Sequence, residues 1–179
     1  MIPVNNYLIV SAIGHNGSEL VSDLSRACLQ CGCNLLNTKI NALGENLALT
    51  LFIAGNWGAI AKMEATLPCL EQKLGLSIHS RRTNEPSFTP QSMTYTIQVT
   101  AIDRARILNG LSDFLQKQTI PIEEISADTY LTHTGTRMVA MQLKINVPDK
   151  VHLATLREQF MSYCDDNNLD GSMDPFRLC

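Results

Sequence analysis

The sequence predicts an α+β protein made of one unit written twice, each a βαββαβ chain whose helices cover one face of an antiparallel sheet. Three observations predict it. Residues 16–35, NGSELVSDLSRACLQCGCNL, return 87 residues later as residues 103–122, DRARILNGLSDFLQKQTIPI, in one register and without a gap. Both copies are flanked by strand-like runs. Between the copies lies a polar stretch holding Pro86 and Pro90. A repeat decides architecture before any single element does, and a chain of 179 residues has room for two self-sufficient cores.

The elements follow in order. Residues 7–13 are apolar on both faces and read as a central strand. In the helix expected over 18–31, Leu20, Val21, Leu24, Ala27 and Cys28 fall at i, i+1, i+4, i+7 and i+8, one face of an α-helix. Gly17 and Ser18 stand at its start and Gly32 at its exit. Strands at 35–43 and 47–54 flank Gly44-Glu45-Asn46, a hairpin signature. Asn56 caps a second helix carrying Trp57, Ile60, Ala61, Leu67, Leu70 and Leu74, which Pro68 is expected to kink or restart. A short strand at 76–80 closes the first unit. This is the split, ferredoxin-like order.

Residues 81–92 have no periodicity and read as a connector, so the domains are expected at 1–82 and 93–179 with a linker over 83–92. In the second unit Tyr95, Ile97, Val99 and Ala101 alternate with Thr94, Thr96, Gln98 and Thr100, which gives one buried and one polar face. The helix follows with Ile107, Leu108, Leu111, Phe114 and Leu115. Strands at 122–131 and 139–147 flank the turn Thr134-Gly135-Thr136. Pro148-Asp149 is expected to open the last helix, and a weakly patterned strand lies within 169–176.

Composition excludes several classes. Hydrophobic residues at 45 % and charged residues at 17 % are those of a globular protein. A net charge of −3 and a pI near 5.8 argue against direct nucleic-acid binding, which needs a basic face. No apolar run is long enough to span a membrane, and the N-terminus has no basic residue ahead of its apolar strand, unlike a secretion signal. A cytoplasmic protein is expected. Cys28, Cys31 and Cys33 lie close together, but no CxxC pair or His cluster elsewhere completes a zinc set, so no metal is expected; Cys28 reads as a packed small hydrophobe. His15, His79, His133 and His152 are scattered, no nucleophile, carboxylate and histidine stand at recognisable spacing, and no enzyme or cofactor is expected.

A strand, a short polar loop, an Ile/Leu-Val/Leu helix start and a Gly-x-Asn-Leu strand start resemble the ACT domain, a small-molecule-sensing module. Two such domains filling the chain, with Cys31-Gly32-Cys33-Asn34-Leu35 and residues 54–60 and 65–68, resemble the glycine cleavage system transcriptional repressor family. The resemblance implies a repressor or anti-activator that does not touch DNA. By the same resemblance it is expected to hold a LysR-type transcriptional activator by protein contact and to respond to glycine. The same module also suits an amino-acid-sensing regulatory subunit of a biosynthetic enzyme. Self-association into a homo-oligomer is expected from the apolar residues on both faces of the first strand.

Ligand capture is expected at the loop between first strand and first helix of each copy. Helix N–H groups suit a carboxylate, and an Asp or Asn side chain accepts from an ammonium. The candidates are Asn16, Gly17 and Ser18 in the first copy and Asp103, Arg104 and Arg106 in the second, joined by Asn34 and Leu35, or by Pro121 and Ile122, where the adjoining strand begins. Plain capping and turn formation use the same residue types. The Asp-x-Pro-Gly loop common in ACT domains is absent. Glu19 repels a carboxylate where Arg104 or Arg106 attracts one, so the second copy has the better chemistry and the first the closer resemblance.

Overall fold

A computed structural model describes residues 6–15, 17, 19–85 and 92–177. The chain divides into two compact units, 1–87 and 88–179. The first runs β1 (Asn6–His15), α1 (Leu20–Cys31), β2 (Asn34–Leu43), β3 (Asn46–Gly55), α2 (Trp57–Leu74) and β4 (Leu76–Thr83). The second runs β5 (Ser92–Ile102), α3 (Ile107–Lys117), β6 (Ile122–Leu131), β7 (Arg137–Pro148), α4 (Leu153–Asn167) and β8 (Asp170–Pro175). Each sheet is antiparallel, in the orders β2-β3-β1-β4 and β6-β7-β5-β8. Both units are therefore the expected βαββαβ fold, and the doubling extends to its irregularities. A bulge interrupts β2 between Leu35 and Asn37, and another interrupts β6 between Ile122 and Glu124, at the matching place.

Alternation builds the cores. In the first unit Leu8, Val10 and Ala12 face the helices and are at most 1 % exposed, while Ile9 and Ile13 face away and are 36 % and 60 % exposed. The period of two puts successive side chains on opposite faces, so a strand with apolar residues at both odd and even positions must present Ile9 and Ile13 on the open face. There Phe52 stacks on Tyr7 at 5.6 Å. The open face of the second sheet carries Thr96, Gln98 and Thr100. Lys144, on that face, pairs with Glu123 at 2.9 Å.

The helices depart from expectation in informative ways. Val21 and Leu108, expected on the buried faces, are 47 % and 41 % exposed. The helices are rotated so that Leu20 and Leu24, and Ile107 and Leu111, fill the seam instead. α2 continues through Pro68 without interruption. Pro68 is exposed, on the side of the helix where a lost backbone bond is cheapest because water can replace it. Asn56 caps α2 as expected, its Oδ1 accepting from Ala59 N at 2.8 Å. α4 begins at Leu153, later than Pro148-Asp149 suggests, because residues 148–151 close a separate turn, Val151 N donating to Pro148 O, and His152 accepts from Thr155 N as the cap. β4 extends to Thr83 and takes Arg81 and Arg82 out of the expected connector.

Candidate functional site

β5 leaves its sheet at Ile102, and residues 103–106 turn before α3 begins. Asp103 N donates to Arg137 O of β7 at 3.0 Å, Ile107 N to Arg104 O at 3.3 Å and Gly110 N to Arg106 O at 2.9 Å. Arg106 holds the N-cap position and has no acceptor to offer, so α3 starts without a side-chain cap. Among the described residues no side chain accepts from the first-turn N–H groups, and Ile107 N and Gly110 N turn to backbone carbonyls instead. Asp103 is not the cap that its sequence position suggested: it stands four residues ahead of the helix, tied to β7. In the first unit Glu19 occupies the N-cap position of α1, again without a side-chain bond, and Gly17 O accepts from Leu20 N at 3.3 Å. Asn16 and Ser18 lie outside the described residues.

The strand-start candidates do not join these loops within a unit. Asn34 pairs with Ala54, which pairs with Tyr7, whereas the loop follows His15 at the far end of β1. At about 3.3 Å per residue the separation is roughly 25 Å. Ile122 is likewise level with Tyr95 through Ile145, at the opposite end of β5 from Asp103. The physical reason is the topology: α1 and α3 each run back along the sheet before the next strand begins, so Asn34, Leu35, Pro121 and Ile122 return to the start of the first strand.

Arg104 and Arg106, by contrast, lie at one end of a cavity of about 720 Å³ in the second unit. One face of α3 lines it, with Arg106, Asn109, Gly110, Asp113, Phe114 and Lys117 at helical spacing. Tyr163, Asn167, Asn168 and Leu169 line the opposite side. Phe114 stacks on Tyr163 with centroids 5.2 Å apart and tilts against Phe160 at 6.1 Å. The Tyr163 hydroxyl lies where a side chain on Gly110 would begin, 2.4 Å from the place a Cβ would take. Burial first, then Cys164 and Asp113, raise the Tyr163 phenol above its ordinary pKa, so it is a neutral hydrogen-bonding group at neutral pH.

The repeat explains the cavity. At the places of Gly110 and Phe114 the first unit has Asp23 and Ala27. Asp23 is buried and accepts from Lys73 Nζ at 2.7 Å and Arg26 Nη1 at 2.9 Å, tying α1 to α2. Ala27 and Cys28 allow these helices a close approach, and Cys31 Sγ lies 3.7 Å from Thr66 Oγ1 across the seam. α3 and α4 make no comparably close approach. Reading the copies separately hides this; the signal is the exchange of Asp23 for Gly110 and of Ala27 for Phe114.

Two βαββαβ units, each with an uncapped loop ahead of its first helix, define the class. The chain belongs to the ACT-domain family and carries the domain twice, residues 6–81 and residues 89–163 each matching it. Among particular relatives, it is 24 % identical over 94 % of its length to the glycine cleavage system transcriptional repressors of Escherichia coli (strain K12) and Shigella flexneri, spanning 90 % of each. A crystal structure provisionally assigned as a glycine cleavage system transcriptional repressor superposes with a TM-score of 0.76 at 23 % identity, over 98 % of this chain and 99 % of that one. A protein of unknown function from Galdieria sulphuraria superposes with a TM-score of 0.75 at 18 % identity, over 97 % and 99 %. Both structures share the tandem fold.

Proposed function

We propose that this protein is a regulator of glycine cleavage genes that acts by contact with a LysR-type transcriptional activator and answers to glycine. The observation that carries the reading is the match along both domains, and not one alone, to repressors of that name. Its composition agrees: a net charge of −3 suits an effect passed through a protein partner better than direct contact with DNA phosphates.

Glycine has few atoms to bind with. At about −1.5 kcal/mol per heavy atom for the best small ligands, five atoms give an affinity no tighter than roughly micromolar. The loop at Asp103, Arg104 and Arg106 supplies the matching groups, a carboxylate for the ammonium and guanidinium and helix N–H groups for the carboxylate. Self-association belongs to the same reading, through the open face of the first sheet, where Ile9, Ile13 and Phe52 offer apolar surface to a second copy.

The test is reconstitution with a purified LysR-type activator of glycine cleavage genes. The protein should co-purify with it, and millimolar glycine should release it where alanine does not. Co-purification with a biosynthetic enzyme instead would replace this reading. Light scattering checks the oligomer: Ile13→Asp should lower the mass, and a wild-type monomer at working concentration removes that part of the proposal.

A further inference from the structure

The cavity beside α3 is larger than glycine needs. Five heavy atoms fill the room of only a few waters at about 30 Å³ each, against about 720 Å³ here, which is the size range of sites for drug-sized ligands. Its lining is ordered along the helix. Arg104 and Arg106 stand at one end, Gly110 with the Tyr163 hydroxyl one turn on, Phe114 a turn further, and Lys117 at the other end. Arg106 and Lys117 are eleven residues apart, roughly 16 Å along the axis.

Charge narrows the ligand. Arg104, Arg106 and Lys117 have no ion-pair partner among the described residues. Among the described residues Asp113 is the single acidic side chain lining the cavity, and it takes a hydrogen bond from Asn109 Nδ2 at 3.1 Å. Two guanidinium groups together at one end, with the single lining carboxylate further along the helix, favour a doubly negative acid group there over a zwitterion. The matching positions of the first unit reverse the pattern: Glu19 stands at the place of Arg106, Arg26 at that of Asp113 and Gln30 at that of Lys117, and Lys73 and Arg26 there neutralise Asp23.

We propose that the groove between α3 and the C-terminal end of α4 binds an organic dianion with a flat ring. The acid group lies at Arg104 and Arg106, and the ring packs against Phe114 and Tyr163. A phosphomonoester and a dicarboxylate share this chemistry. Guanidinium groups hold either by paired charge-assisted hydrogen bonds, and the aromatic pair supplies an apolar wall sized for a ring. Such a ligand acts on the second unit alone, because the corresponding seam of the first is closed by Asp23, Lys73 and Ala27. The proposal rests on the cavity and not on the glycine reading.

Calorimetric titration of the full chain with adenosine monophosphate and with phenylsuccinate, against uncharged adenosine and against glycine, tests it. At least one dianion should bind, about tenfold or more tighter than adenosine, since a charge-assisted contact is worth that factor. Arg106→Gln should weaken it by a similar factor. Asn109→Trp, a bulky change at an exposed position of α3, should abolish it by filling the groove, while Ser22→Trp at the matching place in α1 should leave it unchanged. Binding of the monophosphate alone identifies a phosphate ligand and binding of phenylsuccinate alone a dicarboxylate; both support the site. No dianion binding up to about 10 mM, where even weak fragments register, overturns it, as does binding that survives Asn109→Trp or that adenosine matches. Glycine silent while a dianion binds removes the glycine reading only.

Discussion

Gly32 and Thr119 occupy the same place in the two units, and both hold the left-handed conformation, with φ of 77° and 56°. The bonds around them coincide as well: Cys33 N donates to Cys28 O at 2.9 Å, and Ile120 N to Leu115 O at 3.0 Å. One copy closes its helix with the residue the geometry favours, and the other does so with a β-branched residue that the geometry penalises. Thr119→Gly should therefore stabilise the second unit, by up to about 1 kcal/mol after the glycine's extra unfolded-state entropy is set against the strain relieved. Gly32→Thr should destabilise the first by about 1–2 kcal/mol. Urea denaturation of the two variants measures both, and a Thr119→Gly protein less stable than wild type contradicts the argument.

The Asp23 ion pair makes the first unit acid-sensitive. The hydrogen bond from Lys73 first of all holds the Asp23 carboxyl below its ordinary pKa, against the opposing effect of burial and with charge attraction from Lys73 and Arg26. A folded-state pKa below the unfolded one gives stability that is present above about pH 4, the unfolded value, and lost as pH falls through the folded value. The stability of the first unit should decline over that window, and Asp23→Asn should lower stability at neutral pH while flattening the decline. Trp57, in α2, is the protein's one tryptophan, so its fluorescence during acid titration follows this unit.

Among the described residues, thiol chemistry should separate one cysteine from the buried ones. Burial first of all pushes the Cys28 and Cys164 thiols up to about 11, while Cys69 is exposed. At pH 8 a thiol of pKa 11 is thiolate in only about one molecule in a thousand. Cys69 should be alkylated within the folded protein, and Cys28 and Cys164 only on unfolding. Peptide mapping after a short alkylation checks this, and early labelling of Cys164 would show that its surroundings open.

Gly171 tests the packing of the second core. A Cβ there would come within 2.5 Å of Cys164 Sγ and 3.0 Å of a Phe160 ring carbon, and both residues are at most 1 % exposed. Gly171→Ala should cost about 1–3 kcal/mol, as overpacking does. Gly17→Ala, with nothing within 4 Å, should be close to neutral. Thermal melts of the pair give the contrast directly.

Much of the fold is legible because its signals are local. Strand alternation in residues 95–101, Gly44 in the two-residue turn, Asn56 at the helix cap and Gly32 at the helix exit each answer to a short-range steric or hydrogen-bonding demand. The misses share a cause. Pro68 inside α2, the late start of α4 at Leu153 and the outward-facing Val21 and Leu108 are decided by what lies around the helix, and no neighbouring residue reports that. The site divides the same way. Arg104 and Arg106 could be singled out by charge beside a helix start. The cavity they open into comes from a helix separation set by Phe114, Phe160 and Tyr163, two of which lie on α4. Asn34 and Ile122 look adjacent to the loops on paper, and strand register places them at the other end of the sheet.

A chain holding one fold twice, offset by 87 residues without a gap across the first helix, carries its own internal standard. Any substitution in α1 or α3 has a counterpart in the same molecule, measured in the same tube at the same salt and temperature. A difference between the two responses then belongs to the side chains and to the helix seams they set, since strand order is common to both. Exchanging Asp23 and Gly110 between the copies becomes a balanced experiment: composition and net charge stay constant, and only the address of the carboxylate changes.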